Sequence, residues 1–299
     1  MTEISPEWIA VDWGTTNLRA FAMQGGQMLA RAASDDGMAG LRQDAFEPAL
    51  ARLIAIWAHD HTTPIVACGM VGSRQGWIEA PYRAVPCGPL DVDLTKAVAE
   101  GMNFYVISGL KQLQPADVMR GEETQIAGFL ALNPGFDGVI CLPGTHTKWV
   151  QVSAGEVVSF RTFMTGELFA LLADKSVLRH SVDASGWHEE AFQNAVLDTL
   201  SKPEALAANL FHLRASSLLN ETDNSVSRAR LSGLLIGAEL AASRPYWLGQ
   251  NIAIIGLGAQ SQAYHDALLT QGVPALMVDT DAATLAGLTA AYRTLKETA

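Results

Sequence analysis

Positive charge is scarce in this chain. Only 20 Lys and Arg stand against 31 Asp and Glu among 299 residues, a formal net charge of −11. That deficit argues against nucleic acid or an anionic membrane as a partner, since both require a positive face. Long apolar runs are missing too. The longest, Ile252–Ala259 and Gly233–Ala238, fall far short of the roughly 20 residues that cross a bilayer. Cysteine is rare: Cys68, Cys87 and Cys141 are odd in number and lack Cys-x-x-Cys spacing. They are expected to be buried thiols of a reducing, cytoplasmic compartment. The opening residues carry acid before any apolar run, so no secretory signal is expected. Catalytic signatures are absent as well. There is no Gly-Lys-Ser/Thr loop and no Gly-x-Ser-x-Gly elbow, and His188-Glu189 has Phe192 where a zinc helix needs its second histidine. Peptidase, esterase and P-loop readings lose their support.

What is present is a core-rich composition, 49% apolar against 17% charged, which is globular. At roughly 100–200 residues per domain, the length predicts two domains. Two stretches look alike. Trp8–Trp13, Gly14-Thr15-Thr16 and Asn17–Met23 form strand, tight turn and strand; Gly138–Leu142, Pro143–Thr147 and Lys148–Val152 do the same. A third strand follows each, after Gly25-Gly26 and after Ala154-Gly155. The recurrence predicts two related α/β domains, 1–133 and 134–299, divided near Asn133-Pro134-Gly135. Helices are expected at Asp44–Ala58, Glu122–Leu132, Gly166–Leu172, Trp187–Leu200, Pro203–Leu219, Ser227–Ala242, Gln260–Gln271 and Ala282–Leu295. The last of these is a candidate to pack back on the first domain.

Three loops have the composition to hold a nucleotide. In Asp12-Trp13-Gly14-Thr15-Thr16, glycine permits close backbone approach, the hydroxyls add donors, and Asp12 can hold a Mg²⁺ that bridges phosphates. Gly144-Thr145-His146-Thr147-Lys148 offers a glycine, hydroxyls and a cation. Gly256-Leu257-Gly258 follows a strand and opens a helix. It suits a nucleoside turn, whereas a dinucleotide fold would need more chain than remains. Each loop alone is equally readable as an ordinary turn.

Longer motifs carry a resemblance. Asp12–Arg19, Gly69–Trp77 with Ala80–Tyr82, Met119–Gln125, Leu142–Trp149, Thr165–Leu168 and Ser232–Glu239 together resemble the 2-dehydro-3-deoxygalactonokinase family, over about residues 8–295. The third loop departs from the family's pattern. The resemblance implies two ribonuclease-H-like domains of the actin-like ATPase type flanking a central cleft, with ATP and Mg²⁺ as cofactors. The implied reaction is phosphorylation of 2-dehydro-3-deoxy-D-galactonate at its 6-hydroxyl, in galactonate catabolism. A kinase of a related 2-keto-3-deoxy sugar acid and an actin-like sensor ATPase are the alternatives. The implied partner is a small sugar acid, not nucleic acid or membrane; whether the chain forms a homodimer is left open.

The resemblance also assigns roles. Gly14, Thr15, Thr16, Gly144, Thr145, His146 and Thr147 would cradle phosphates, and Gly256 and Gly258 the nucleoside. Asp12 would hold the metal, and Lys148 would offset charge in the transition state. Glu122 or Glu123 would accept the hydroxyl proton, Glu122 being favoured. Arg19, Arg74 and Arg120 would meet the carboxylate, with Trp77 and Tyr82 as pocket walls.

Overall fold

The computed structural model describes residues 4–90, 94–99, 101–183 and 185–298. The chain divides into two compact units. The first comprises Met1–Phe136, Val152–Ser159 and Asp279–Ala299, and the second Asp137–Gln151 and Phe160–Val278. In chain order the elements are β1 (Trp8–Trp13), β2 (Leu18–Gln24), β3 (Gln27–Ser34), α1 (Phe46–Ile54), β4 (Pro64–Gly69), β5 (Tyr82–Ala84), β6 (Thr95–Lys96), β7 (Asn103–Val106), β8 (Gly109–Leu113), β9 (Ala116–Met119) and α2 (Glu122–Leu132). There follow β10 (Gly138–Leu142), β11 (Thr147–Ser153), β12 (Glu156–Phe163), α3 (Thr165–Lys175), α4 (Glu189–Ser201), α5 (Leu206–Leu219), α6 (Asn224–Ala242), α7 (Arg244–Trp247), β13 (Ile252–Ile255), α8 (Ala259–Leu269), β14 (Ala275–Val278) and α9 (Thr280–Thr298).

The duplicated hairpins become duplicated sheets. One runs β3-β2-β1-β4-β7, with β6 at its edge; the other runs β12-β11-β10-β13-β14. Both therefore carry a three-strand meander in reverse order, followed by two later strands. β1 is parallel to β4 and β4 to β7; β10 is parallel to β13 and β13 to β14. This is the mixed α/β, ribonuclease-H-like architecture that the resemblance implies.

Strand β1 feeds two hydrophobic layers because its side chains alternate. Ile9, Val11 and Trp13 pack with Phe46, Leu50 and Ile54 of α1. Trp8 and Ala10 pack with Leu288, Ala291 and Tyr292 of α9. The Trp8 and Tyr292 rings stack with centroids 4.5 Å apart. In the second unit, Val139, Cys141 and Trp149 pack with Phe192, Val196, Ile236, Tyr264 and Leu268 from α4, α6 and α8. Cys68 and Cys141 are buried as expected, but Cys87 is only half-buried.

Several expected bounds shift. The first helix is confined to Phe46–Ile54, and α6 starts earlier, at Asn224, where Asp223 Oδ1 caps it by accepting the Ser225 amide at 2.7 Å. A three-stranded sheet, β5-β8-β9, has no counterpart in the sequence reading. Its hairpin turns at Gln114-Pro115, without the glycine that marks the other turns. No helix among the described residues is long and apolar enough to cross a membrane.

Helices α2 and α9 meet at unusually close range. A Cβ on Gly128 would lie 1.8 Å from the Ala283 carbonyl oxygen, and one on Gly287 would lie 1.9 Å from that of Thr124. Only hydrogen fits on either side. Gly287→Ala should therefore destabilise the protein by about 1–3 kcal/mol, read from urea midpoints. Gly40→Ala, where a Cβ meets nothing within 4 Å, should change stability by less than about 0.5 kcal/mol.

Candidate active site

In the first unit the site is built around Asp12, near the end of β1. Antiparallel register places Arg19 of β2 directly opposite. Arg19 donates to Asp12 Oδ2 through both Nε and Nη2, and through Nη1 to Asp281 Oδ1 at 2.5 Å. These two carboxylates engage the guanidinium that was expected at a substrate carboxylate. The following turn is tied from below: Gly14 O accepts the Met38 amide and Thr15 O the Ala39 amide, both at 3.0 Å. Thr15 and Thr16 stay exposed.

Two backbones then converge on Asp12. Gly69, with φ +92°, closes β4; its Cβ would stand 2.6 Å from Trp13 O and 3.6 Å from Asp12 Oδ1. A Cβ on Gly121, with φ +105°, would stand 3.3 Å from Gly69 Cα. Both positions need glycine's freedom at positive φ. The convergence sets the acidic first turn of α2 beside the end of β1. Glu123 is fully buried; it accepts the Gly121 amide at 2.6 Å and the Thr124 hydroxyl at 3.1 Å. Burial, reinforced by the negative charge of Glu122, pushes its carboxyl up to about 7. Glu122 is half-buried, and its Oε2 accepts the Arg120 amide at 3.1 Å. Burial, with Asp12 and Glu123 nearby, raises the Cys68 thiol well above its ordinary range. It stays a neutral neighbour, 3.8 Å from Asp12 Oδ1.

The remaining first-unit candidates separate. Arg120 is buried over the Tyr82 ring, 4.2 Å from its centroid, and donates to Ala80 O at 2.7 Å. Arg74 is exposed. Trp77 packs on Phe104 and Trp13, with centroids 4.5 and 6.3 Å away, and so stands at the edge of the core.

In the second unit, the Gly144 hairpin and the Gly258 turn come together. Gln260, in the first turn of α8, donates to Gly144 O at 2.9 Å. Gly166, at the start of α3, packs under Gly144, and the Glu167 amide donates to Thr145 O at 3.0 Å. His146 Nε2 lies 2.6 Å from Glu167 Oε2. Gly256 is buried, and Gly258 is exposed where it caps α8. Thr147, expected at a phosphate, faces inward instead: it is fully buried, with Oγ1 3.0 Å from the Tyr264 hydroxyl. Lys148 is 5% exposed and donates to His146 O at 3.1 Å.

Beneath this hairpin lies a carboxylate that the sequence reading passed over. Glu239 of α6 is 3% exposed. It accepts Trp149 Nε1 and the Tyr264 hydroxyl, both at 2.7 Å, and the Thr165 hydroxyl. Burial raises its pKa, while the three donors pull the other way. The available signal was a single acid inside the apolar run Leu231–Ala242.

Among the described residues, no group of three His, Cys, Asp or Glu is gathered as a cage for a metal. The donor set fits a cation held mainly by phosphate oxygens and water, with Asp12 as its protein contact.

Comparison with known proteins agrees with these motifs. A family model described as 2-keto-3-deoxy-galactonokinase matches residues 12–291. A probable 2-dehydro-3-deoxygalactonokinase of Rhizobium meliloti (strain 1021) is 39% identical over 299 residues, covering 96% of this chain and 97% of that protein. The 2-dehydro-3-deoxygalactonokinase of Escherichia coli (strain K12) is 37% identical, covering 95% and 97%. The crystal structure of a Sinorhizobium meliloti protein described as a 2-dehydro-3-deoxygalactonokinase superposes with a TM-score of 0.91. It is 36% identical and covers 96% of this chain and 99% of that one.

Two outcomes follow from the buried carboxyls. Glu239→Ala leaves three donors without an acceptor and should cost roughly 3 kcal/mol or more in urea unfolding. Glu123 behaves differently. Its carboxyl is raised from 4.5 to about 7 by folding, so its contribution to stability is complete below pH 4.5 and is lost as pH rises to about 7. Glu123→Gln cannot ionise. The stability of the variant relative to the parent should therefore climb across that window, by up to about 3 kcal/mol. A flat difference from pH 4.5 to 7.5 would contradict this.

Proposed function

The chain belongs to the 2-keto-3-deoxy-galactonokinase family, and from that membership we propose that it transfers the γ-phosphoryl group of ATP to the 6-hydroxyl of 2-dehydro-3-deoxy-D-galactonate, in galactonate catabolism. The observation that carries this reading is the meeting of Gly69 and Gly121 beside Asp12. It sets a metal-side carboxylate next to a helix that begins with two acids. Phosphoryl transfer to an alcohol needs both, one to fix the phosphates through a cation and one to take the proton.

Glu122 is the better base. It is half-buried and so open to a substrate, while Glu123 is enclosed, with both oxygens engaged. Glu122 takes the proton of the attacking hydroxyl as oxygen bonds to phosphorus and ADP departs. Glu123, neutral up to about pH 7, adds little negative charge against the incoming polyphosphate. Gly14, Thr15 and Thr16 in the first unit, and Gly144, Thr145 and His146 in the second, supply backbone and hydroxyl donors to the phosphates. Thr147 supports its loop from inside. Lys148 offsets phosphate charge, and Gly256 and Gly258 leave room for the nucleoside. Mg²⁺, when bound, would draw charge from the phosphate oxygens, with Asp12 holding it through water.

Purified protein with ATP and Mg²⁺ should release ADP only when 2-dehydro-3-deoxy-D-galactonate is added. Equal release without the sugar acid would favour a sensor ATPase. Glu122→Gln should lower kcat by about 10²–10⁴ while ATP still binds. A comparable loss confined to Glu123→Gln would move the base to Glu123.

A further inference from the structure

The first unit holds buried polar atoms to which the mechanism above gives no task. Arg120 is 7% exposed, and its guanidinium is pinned: Nη2 on Ala80 O at 2.7 Å and Nε on the Tyr82 hydroxyl at 3.3 Å. Its Nη1 has no partner. The Oγ atoms of Ser73 and Ser108, residues 4% and 1% exposed, have none either.

The backbone gathers these three. Gly72, directly before Ser73, lies under the guanidinium: a Cβ there would be 2.7 Å from Arg120 Nη1 and 2.7 Å from Val106 Cγ1. Ser108 follows Val106 by two residues, and Ile107 between them continues the β4 ladder, its N–H donating to Ala67 O at 2.9 Å. Ser108 therefore shares a face with Val106. Leu110 lies opposite Met119, so the next pair outward sets Arg120 against Gly109, the neighbour of Ser108.

Buried donors without acceptors are costly and rare, and three on adjoining segments call for a ligand. The chemistry narrows it. A fixed guanidinium edge gives charge and direction, and two hydroxyls give neutral donors, which together suit a single carboxylate. Arg19 is engaged by Asp12 and Asp281, and Arg74 is exposed, so neither competes. Resting on the sugar-acid kinase reading, we propose that Arg120 Nη1, Ser73 Oγ and Ser108 Oγ form the pocket for the C1 carboxylate of the substrate. Gly72 leaves the guanidinium its place, since a Cβ there would stand 2.7 Å from Nη1.

Arg120 variants risk misfolding, so the serines carry the test. Ser73→Ala and Ser108→Ala should each raise KM for the sugar acid about tenfold, the value of a hydrogen bond to a charged group. KM for ATP should stay within about twofold. Tm should hold or rise, because each variant removes a buried hydroxyl that has no protein partner. Wild type should strongly prefer the acid over its C1 carboxamide, and the double variant should lose that preference. An unchanged KM in the double variant would overturn the subsite, as would equal turnover of acid and carboxamide by wild type, and both leave the kinase reading standing. A fall in Tm with parallel losses for ATP and sugar acid would make the serines structural and also overturn it. No sugar-acid-dependent ADP release from wild type would remove the kinase reading, and the subsite with it.

Discussion

One guanidinium holds the polar end of the first sheet together. Arg19 faces Asp12 across the β1–β2 ladder and reaches Asp281, 262 residues further on, at the start of α9. The pair is partly enclosed, with side chains 30% and 17% exposed, so water screens it less than a surface contact. A one-residue slip in register would turn Asp12 to the opposite face and strand the arginine. The same interaction thus sets the orientation of the Asp12 carboxylate and the starting point of the last helix. That helix then crosses α2 at the Gly128–Gly287 contact, and α2 opens with Glu122 and Glu123. The placement of these two acids traces back, within one unit, to a cross-strand ion pair.

Scarce positive charge makes this arrangement tight. Asp12, Glu122, Glu123 and Asp281 gather in a unit whose matched motifs bring only Arg19, Arg74 and Arg120. Two of these arginines turn inward and are pinned by several bonds. The neighbourhood reduces its own negative charge as well, since Glu123 holds its proton up to about pH 7. Without that neutralisation, the two acids that open α2 would carry adjacent full charges.

Much of this was legible in the sequence. Glycine turns and strict alternation give away a meander, and its recurrence gives away the duplicated sheet. The β8–β9 hairpin was not legible because Gln114-Pro115 is not a glycine turn and its strands are short and half-exposed. The role of Arg19 was open to inference: a tight turn over Gly14–Asn17 places Asp12 opposite it, but the charge suggested an anion ligand rather than a partner in the chain. Thr147 shows the opposite failure. Beside exposed Thr145 it reads as a phosphate donor, yet its burial depends on Tyr264, 117 residues away. Short-range pattern cannot report such a contact.

The two units solve the same problem with opposite charges. Each must stiffen a glycine-containing hairpin that presents donors outward. The first unit uses a cation beside its hairpin, where Arg19 fixes Asp12. The second uses an acid beneath its hairpin, where Glu239 gathers Trp149, Thr165 and Tyr264. For a hairpin proposed to bind phosphate, a carboxylate beneath it looks counterproductive, because its charge opposes such a ligand. Three donors and nearly complete burial answer the objection. Burial raises its pKa and so favours the neutral form, and where it ionises the three donors hold the charge. The hairpin is thus tied to a buried carboxyl that three donors hold in place. The two hairpins share a backbone pattern, and the polar group that braces each carries the opposite sign.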